Sequence, residues 1–326
     1  MSTWFVTGGS GFVGRHLIRT LVQRGEAVRA LARSDSSKQV VTQLGALAVN
    51  GDLDSTESIA SGMKGCDFVV HAAAKVEEWG PRADYQRINV DGTANVIAAA
   101  RQAHVKRLVH VGTEAPFATG QPLHNINEST PLPDQPLPRY PATKAASERL
   151  VRAANSATLQ TVVVRPRLIW GPDDTSVLPQ LVNAVKQGQF LWIDHGKSLT
   201  STCHVSNVCE GIIGAALRGK PGEAYFLTDG EPISSREFLT ALIKTRGVTP
   251  ADKSIPFGVA WAFASLLEFL SDTLRLGFKP PVTRMAIGLI GREVTVSDAK
   301  ARAEIGYRNV ISRQDGLRQL ERLKTG

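Results

Sequence analysis

Residues 3–14 read TWFVTGGSGFVG, and these twelve residues carry the strongest indication of the fold class. An apolar run that ends at Thr7 predicts a strand, and four glycines follow within eight positions. Apolar residues then recur at helical spacing up to Gly25, and AVRALA (27–32) predicts a second strand. A strand, a helix and a strand within about 30 residues form a parallel unit with a right-handed crossover. The sequence therefore predicts an α/β fold of the Rossmann type, with a doubly wound parallel sheet.

The glycines predict a dinucleotide site. Gly9, Gly11 and Gly14 fit the pattern GxGxxG, while Gly8, Gly11 and Gly14 fit TGxxGxxG. Without a β-carbon the chain turns sharply and lets a pyrophosphate approach the backbone, where the helix N-terminus offers N–H groups. The alternative is an ordinary tight turn, but a strand precedes this turn and a helix follows it.

The end of the second predicted strand indicates which cofactor binds. An NAD site usually has an acidic residue there, whereas an NADP site tends to offer an arginine. The acidic position holds Ala32, and Arg33 and Ser34 follow. We therefore predict NADP(H), with NAD(H) as the alternative; a merely exposed Arg33 is the simpler interpretation.

Four more strands continue the pattern. ALAVNGDL (46–53) ends at Asp52 and Leu53, and DFVVHAAA (67–74) ends in small residues that include Ala72 and Ala73. Ligands lie across the carboxyl ends of parallel strands, so these four residues are candidates for cofactor contact. Asp52 can bond the adenine amino group or simply cap a turn. RLVHVG (107–112) and LQTVVVRP (159–166) predict the fifth and sixth strands.

Composition limits the classes of function. The net charge is +8 without any basic cluster, which suits an anionic ligand and argues against nucleic-acid binding. Three cysteines without a zinc spacing predict neither disulfides nor a metal site. No signal peptide precedes the first strand, and the most apolar run, residues 257–267, is shorter than the roughly 20 residues that span a bilayer. We expect a cytoplasmic protein without a transmembrane segment.

YPATK (140–144) carries the residues suited to chemistry. Tyr140 and Lys144 are four positions apart, so on a helix they share a face. An ammonium favours the phenolate and should lower the tyrosine pKa, which makes Tyr140 a candidate proton donor and acceptor. Thr113 follows the fifth strand, where a hydroxyl can hold a substrate oxygen. An exposed amphipathic pair and a plain turn residue are the alternatives.

TGGSGFVG, NVDGT (89–93), YPATK and VVRPRLIWGP (163–172) occur in this order, and the chain resembles the extended short-chain dehydrogenase/reductases. TSTCHVSNVCEGIIGAAL (200–217) followed by GEAYFLTDGEPIS (222–234) resembles the 3β-hydroxysteroid dehydrogenase/isomerase branch with its dihydroflavonol reductase relatives. The resemblance runs almost from end to end.

The resemblance implies a role for several residues. Tyr140 would be the acid/base, Lys144 would hold the ribose, Thr113 stands where the family has Ser or Thr, and Asn89 would be structural or part of a proton relay. The cofactor contacts it implies are Gly8, Gly11, Phe12, Val13 and Pro166. TEAPF (113–117) departs from relatives that have small residues and then a tyrosine, which leaves the substrate contact open.

The last third of the chain breaks the strand–helix alternation. We predict a Rossmann domain from 1–165 plus about 198–228, and a smaller, mostly helical substrate lobe from about 166–197 and 229–326. Segment 256–275 places Ala260, Phe263, Leu267, Leu270 and Leu274 on one helix face, which Trp261 and Leu266 widen. This face can pack in the core, line an apolar substrate pocket or contact lipid.

The sequence thus predicts an NADP(H)-dependent oxidoreductase that interconverts an apolar ketone and a secondary alcohol of a small steroid-like or other hydrophobic substrate. A nucleotide-sugar epimerase or dehydratase with tightly held NAD, and a non-catalytic NADP-binding protein, are the alternatives. The family resemblance implies that helices near 82–103 and 139–154 pair across a twofold axis in a homodimer. Their apolar positions, which serve that bundle or only the sheet, are Val96, Ala100, Ala146 and Leu150.

Overall fold

The computed structural model describes residues 1–273 and 278–323, and its centre is a seven-stranded parallel sheet. The strands of the chain are β1 (Thr3–Thr7), β2 (Ala27–Ala32), β3 (Leu47–Asn50), β4 (Phe68–His71), β5 (Arg107–Val111), β6 (Leu123–Ile126), β7 (Gln160–Pro166), β8 (Ile169–Trp170), β9 (Trp192–Ile193), β10 (Leu199–Thr200), β11 (Cys203–His204), β12 (Ala224–Leu227), β13 (Ile233–Ser234), β14 (Ser254–Ile255) and β15 (Val294–Val296).

The large sheet has the order β12-β7-β5-β4-β1-β2-β3, and every pair in it is parallel. The direction of the strand order reverses between β1 and β4. In open α/β sheets this switch point leaves a crevice at the carboxyl ends of the strands, where ligands bind. The predicted Rossmann-type sheet is confirmed, and the glycine-rich stretch directly follows β1 at the switch point.

Helices cover both faces of the sheet. They are α1 (Phe12–Gln23), α2 (Asp35–Gln43), α3 (Thr56–Met63), α4 (Arg82–Tyr85), α5 (Gly92–Gln102), α6 (Tyr140–Ala153), α7 (Val177–Lys186), α8 (Val205–Arg218), α9 (Ser235–Lys244), α10 (Phe257–Thr273), α11 (Arg284–Gly291), α12 (Ala299–Ile305) and α13 (Arg313–Arg322). α1 and α8 bury Leu17 and Ile212 in one apolar layer, while α3 and α5 bury Ile59 and Val96 in the other. Helices therefore pack on both faces of the parallel sheet, as in a doubly wound fold.

The later part of the chain contains small sheets as well as helices. The largest has the order β13-β10-β15-β6, so the loop after β5 contributes a strand to it. Its strands are two to four residues long, too short for a periodic signal in the sequence. The sequence predicts a mostly helical lobe and does not predict this sheet. The predicted division into two domains stays a prediction.

α10 does not bury the face that its sequence pattern suggests. Ala260 and Ala264 are buried, whereas Phe263 and Leu266 are about half exposed, at 51% and 53%. The packed face is formed instead by small residues and by Glu268, which forms an ion pair with Arg284. Of the three alternatives for this face, Phe263 does not follow the first, packing in the core, because the helix packs through its small residues. Leu274 lies outside the described residues.

The predicted helix 82–103 contains an irregular turn. α4 and α5 are joined by a π-helical segment, residues 86–91, which adds a residue to one turn and re-aims the side chains that follow. Val96 and Ala100 face the sheet and are fully buried, while Leu150 on α6 is 37% exposed. Two of the four positions predicted for a dimer bundle thus serve the sheet.

Within residues 1–273 and 278–323, none of the helices has both the length and the apolar content needed to cross a bilayer. The same part of the chain holds no group of three or more His, Cys, Asp or Glu side chains arranged around a common metal position.

Candidate active site

The glycine turn is pressed against the end of β4. Gly8 has φ +71°, and a β-carbon there would lie 2.7 Å from the backbone nitrogen of Ala73. A β-carbon on Gly14 would lie 2.1 Å from the carbonyl oxygen of Gly8. Neither position accepts a side chain without moving backbone, so both glycines serve the close packing of β1, α1 and β4.

Gly11 differs from these two glycines because its β-carbon position is nearly open. A β-carbon there would meet only the carbonyl oxygen of Gly8, at 3.2 Å. Gly11 is exposed and caps α1, whose first turn contains no acidic residue. Unpaired N–H groups at a helix N-terminus with open space before them suit a pyrophosphate. The residues present therefore fit the predicted dinucleotide, and Phe12 and Val13 are partly exposed beside Gly11.

The strand registers bring the other predicted cofactor residues to the same edge. Thr7 pairs with His71, and His71 pairs with His110, so the residues after β1, β4 and β5 leave the sheet together. Ala32 pairs with Asn50 on the other side of β1. Along this edge lie Gly8, Arg33, Asp52, Ala72, Thr113 and, as the last residue of β7, Pro166.

Arg33 and Asp52 lie opposite each other at the β2–β3 end of this edge. Their closest nitrogen and oxygen are 4.0 Å apart, and the side chains are 70% and 42% exposed. Such a pair contributes less than about 1 kcal/mol, so Arg33 is free to turn toward an anion. The other carboxyl oxygen of Asp52 accepts the N–H of Leu53 at 2.6 Å, which is the turn-capping role.

A ladder of buried hydrogen bonds ties β1 and β4 to α5. Thr93 donates its hydroxyl hydrogen to the carbonyl of Asn89 at 2.6 Å, so Nε2 of His71 must donate to Thr93, at 2.9 Å. Nδ1 of His71 then accepts from the hydroxyl of Thr7, at 2.7 Å. Burial lowers the pKa of His71 to about 3, so the ring is neutral at physiological pH. The ladder fixes the strand ends on which the site is built.

Asn89 is fully engaged in holding the loop after β4. Its amide oxygen accepts the N–H of Lys75 at 2.7 Å, and its amide nitrogen donates to the Lys75 carbonyl and to Thr143. It sits in the π-helical segment, and it joins the loop to α6, the helix that begins with Tyr140. Of the two roles that the family resemblance implies, this geometry favours the structural one.

Lys144 is buried one helical turn after Tyr140. Its ammonium donates to the carbonyl of Val111 at 2.7 Å and contacts Nε2 of His110 at 3.2 Å. Burial lowers the pKa of Lys144 to about 8, and Glu148 acts in the opposite direction. An ammonium has three N–H donors, so one remains for a ligand at this edge.

Tyr140 is partly exposed at the start of α6. Burial raises the pKa of its phenol, the carboxylate of Glu114 raises it further, and a hydrogen bond with Thr113 lowers it. The sequence predicts that Lys144 lowers this pKa, and that prediction is wrong for the ligand-free chain. The ammonium is occupied by Val111 and His110, so burial and Glu114 dominate. Tyr140 is therefore a neutral phenol, a proton donor.

Glu114 and Arg167 form an ion pair that is absent from the sequence prediction. Their side chains are 4% and 3% exposed, and Nη1 of Arg167 donates to Glu114 at 2.8 Å. Thr113 donates its hydroxyl hydrogen to the other oxygen of Glu114, also at 2.8 Å. The glutamate in TEAPF is a usable signal in the sequence, because an acidic residue within an apolar run needs a counter-ion. The sequence does not identify that counter-ion, because Arg167 lies 53 residues away.

Arg139 is a second residue that the sequence does not reveal. It precedes Tyr140 with φ +65°, a conformation that residues other than glycine adopt at a cost. Its guanidinium stacks on the ring of Trp79 at 3.3 Å, donates to the Gly80 carbonyl at 3.0 Å and forms an ion pair with Asp272 at the end of α10. These contacts connect α10 to the residue that sets the position of Tyr140.

Comparison with known proteins agrees with this geometry. Residues 5–257 match the family model described as the 3-beta hydroxysteroid dehydrogenase/isomerase family. The 4-hydroxy-2-methyl-3-oxo-4-farnesyl-3,4-dihydroquinoline-1-oxide ketoreductase of Stigmatella aurantiaca is 51% identical over 96% of this chain and 94% of its own length. The 2-alkyl-3-oxoalkanoate reductase of Stenotrophomonas maltophilia is 36% identical over 97% of each chain.

Solved structures show the same fold. The crystal structure of gox2253 has a TM-score of 0.80 and 27% identity, and it covers 99% of this chain and 98% of its own. A dTDP-glucose 4,6-dehydratase from Streptomyces venezuelae has a TM-score of 0.76 at 23% identity, over 98% of this chain and 95% of its own. At that identity the likeness concerns the fold alone.

Proposed function

Because the chain belongs to the 3-beta hydroxysteroid dehydrogenase/isomerase family, in which it is an NAD(P)-dependent dehydrogenase/reductase, we propose that it reduces an apolar ketone to a secondary alcohol with NADPH. The observation that carries the proposal is the position of Tyr140 at the start of α6, with Lys144 one helical turn later and Thr113 just after the end of β5. A ketone needs a proton donor at its oxygen, and a phenol with a raised pKa retains its proton at neutral pH.

In the proposed reaction, bound NADPH supplies a hydride to the carbonyl carbon. Tyr140 donates its phenol proton to the carbonyl oxygen as negative charge develops there. Lys144 uses its remaining N–H to hold the cofactor ribose, and Gly11 and the start of α1 hold the pyrophosphate. Pro166 and the small Ala72 and Ala73 leave the edge of the sheet open to a flat ring.

The proposed preference for NADP(H) rests on the end of β2. Arg33 is 70% exposed and held only by the distant Asp52, and the residue at the usual acidic position is Ala32. α2 begins next to Arg33, and its capping residue Ser34 accepts the N–H of Ser37. Asp35 points into solvent and pairs with Lys38 at 3.0 Å, so it does not occupy the space before Arg33. A guanidinium and hydroxyls there suit a 2′-phosphate.

The proposed substrate class is supported by the relatives. The names of the two bacterial reductases describe oxo compounds that carry a farnesyl or an alkyl group. For this chain we therefore propose a ketone with a large apolar substituent, and the site residues of the large sheet act on its carbonyl.

A panel of ketones with alkyl, prenyl and ring substituents tests the proposal, with loss of NADPH absorbance as the measurement. We expect turnover with at least one apolar ketone and weaker activity when NADH replaces NADPH. Release of bound NAD on denaturation would instead favour the nucleotide-sugar epimerase or dehydratase. NADPH binding without turnover of any ketone would favour the binding protein.

We also propose a homodimer in which α6 meets its copy. Leu150 is a large apolar residue exposed on this helix, and Ala146 one turn earlier is partly exposed. We expect light scattering to give twice the chain mass at micromolar concentration and Leu150→Asp to shift the mass toward the monomer. A monomer mass for the wild type contradicts this proposal. The predicted cytoplasmic location stays a prediction.

A further inference from the structure

His110 is a buried polar residue in the middle of the large sheet. It is the fourth residue of β5, which lies between β4 and β7, and the preceding Leu108 and Val109 are apolar and buried. Within residues 1–273 and 278–323, Nδ1 of His110 has no hydrogen-bond partner. A buried polar atom without a partner lowers stability, so a histidine at this position needs a reason other than packing.

The other ring nitrogen of His110 contacts Lys144. Nε2 lies 3.2 Å from Nζ of Lys144, and the same Nζ donates to the Val111 carbonyl at 2.7 Å. Glu148 follows one turn later on α6, but Arg165 binds both of its carboxyl oxygens. In the described part of the chain, the hydrogen-bond partners of this ammonium are therefore two consecutive residues of β5.

The contacts determine which ring nitrogen of His110 carries the hydrogen. Burial lowers the pKa of His110, so the ring is neutral and has one N–H. An ammonium has donors only, so Nε2 must accept from Lys144 and Nδ1 carries the hydrogen. Ser147 lies farther from Nε2, at 3.5 Å, and its hydroxyl donates to the Lys144 carbonyl. His71 on β4 has the opposite tautomer, because its Nε2 donates to Thr93.

We propose that neutral His110 is a positioning residue for Lys144: its Nε2 fixes the ammonium at the end of β5, so that the third N–H is directed at the cofactor ribose. This inference rests on the role of Lys144 in the proposed ketone reduction with NADPH. A single bond to the Val111 carbonyl would let the ammonium pivot, whereas two fixed acceptors order it before the cofactor binds. His110 therefore acts only through Lys144, and its effect should appear in cofactor affinity.

The first test is the tautomer of His110 in the ligand-free protein, measured by long-range proton–nitrogen NMR of the histidine rings. The spectrum is recorded below the Lys144 pKa of about 8, where the side chain is an ammonium. His110→Gln identifies the His110 signals by their absence. We expect Nδ1–H for His110 and Nε2–H for His71. Nε2–H for His110 would overturn the inference, because that hydrogen would face the ammonium.

The second test is titration with NADPH. His110→Leu removes the acceptor, and we expect the affinity to fall by about tenfold. His110→Gln keeps an amide oxygen near the position of Nε2, and we expect its affinity to stay within about threefold of the wild type. Ser147→Ala is the control, because the serine hydroxyl donates to a carbonyl and not to the ring. The tautomer and the affinity should be unchanged in this variant.

The outcomes separate this inference from the proposed function. Equal NADPH affinities for folded His110→Leu and His110→Gln would overturn the inference. If His110→Leu does not fold, His110→Asn replaces it, because its amide is one methylene too short to reach Lys144. A wild type that binds NADPH but reduces no ketone contradicts the proposed function alone. A wild type that does not bind NADPH also contradicts it, and the tautomer then decides whether His110 holds Lys144.

Discussion

The glycine turn and the surroundings of Tyr140 lie on the same edge of the large sheet but are built in different ways. In the turn, the contacts that matter join backbone atoms of residues 8–14 to one another and to the adjacent end of β4. Around Tyr140 they join side chains that are distant in sequence: Glu114 and Arg167 are 53 residues apart, and Arg139 and Asp272 are 133 apart. A local backbone motif can be read from a sequence, whereas a long-range side-chain pair requires the fold.

The largest expected effect is on turnover, when the hydroxyl of Tyr140 is removed. Tyr140→Phe removes one hydroxyl, so it should preserve the fold and NADPH binding while turnover falls by about 10²–10⁴. Steady-state kinetics beside an NADPH titration measure both quantities. A variant whose turnover stays within about threefold of the wild type, in a step shown to be chemistry, would be incompatible with Tyr140 as the acid.

A smaller effect is expected in the cofactor region alone. Arg33→Asp replaces the proposed 2′-phosphate contact, and a charge-assisted contact is worth about 1.5–3 kcal/mol, or roughly ten- to a hundredfold in affinity. NADPH binding should weaken by at least that range, and NADH binding should be spared. Fluorescence titration with the two cofactors measures the difference. Tighter binding of NADH by the wild type would contradict the assignment of Arg33.

The smallest expected effect concerns the long-range side-chain contacts around Tyr140. Asp272→Asn removes the charge that holds Arg139, so Tyr140 should lose part of its alignment and turnover should fall by about tenfold with cofactor affinity unchanged. Asp252→Asn is the matched control, because Asp252 pairs with Arg236 at the surface and is 78% exposed. Equal kinetics for the two variants would mean that the Arg139 contacts do not position Tyr140.

Low pH should weaken the ion pair between Asp272 and Arg139. Desolvation acts to raise the pKa of the Asp272 carboxyl. Hydrogen bonds from Arg139 and Arg82 outweigh this effect, so the pKa is lowered. A lowered pKa means that the stabilisation is present above the ordinary value of about 3.9 and is lost as the pH falls through the folded value. We expect the melting temperature of the wild type to fall more steeply below about pH 4 than that of Asp272→Asn.

The sequence predicts the sheet, the glycine turn and the placement of Tyr140 and Lys144 one turn apart on a helix, since the patterns behind them are local in the sequence. It fails where packing decides. The pattern of α10 places Ala260 and Phe263 on one face but does not decide what that face contacts; Ala260 and Ala264 are buried and Phe263 is half exposed, because the helix packs through small residues. Burial and the Glu114 carboxylate raise the pKa of Tyr140, and the Lys144 ammonium is directed at the Val111 carbonyl, a contact that spacing on a helix cannot reveal.

The burial of the phenols has a spectroscopic consequence. The chain has four tyrosines, and burial raises the pKa of every one, to about 12 for Tyr85 and Tyr225 and well above the ordinary value for Tyr140 and Tyr307. The folded chain should therefore show no phenolate absorbance in the near ultraviolet at pH values where free tyrosine ionises, about 10. Above that pH the unfolded chain releases protons that the folded chain retains, so stability falls as the pH rises. Phenolate absorbance thus reports alkaline unfolding of this protein without any added dye.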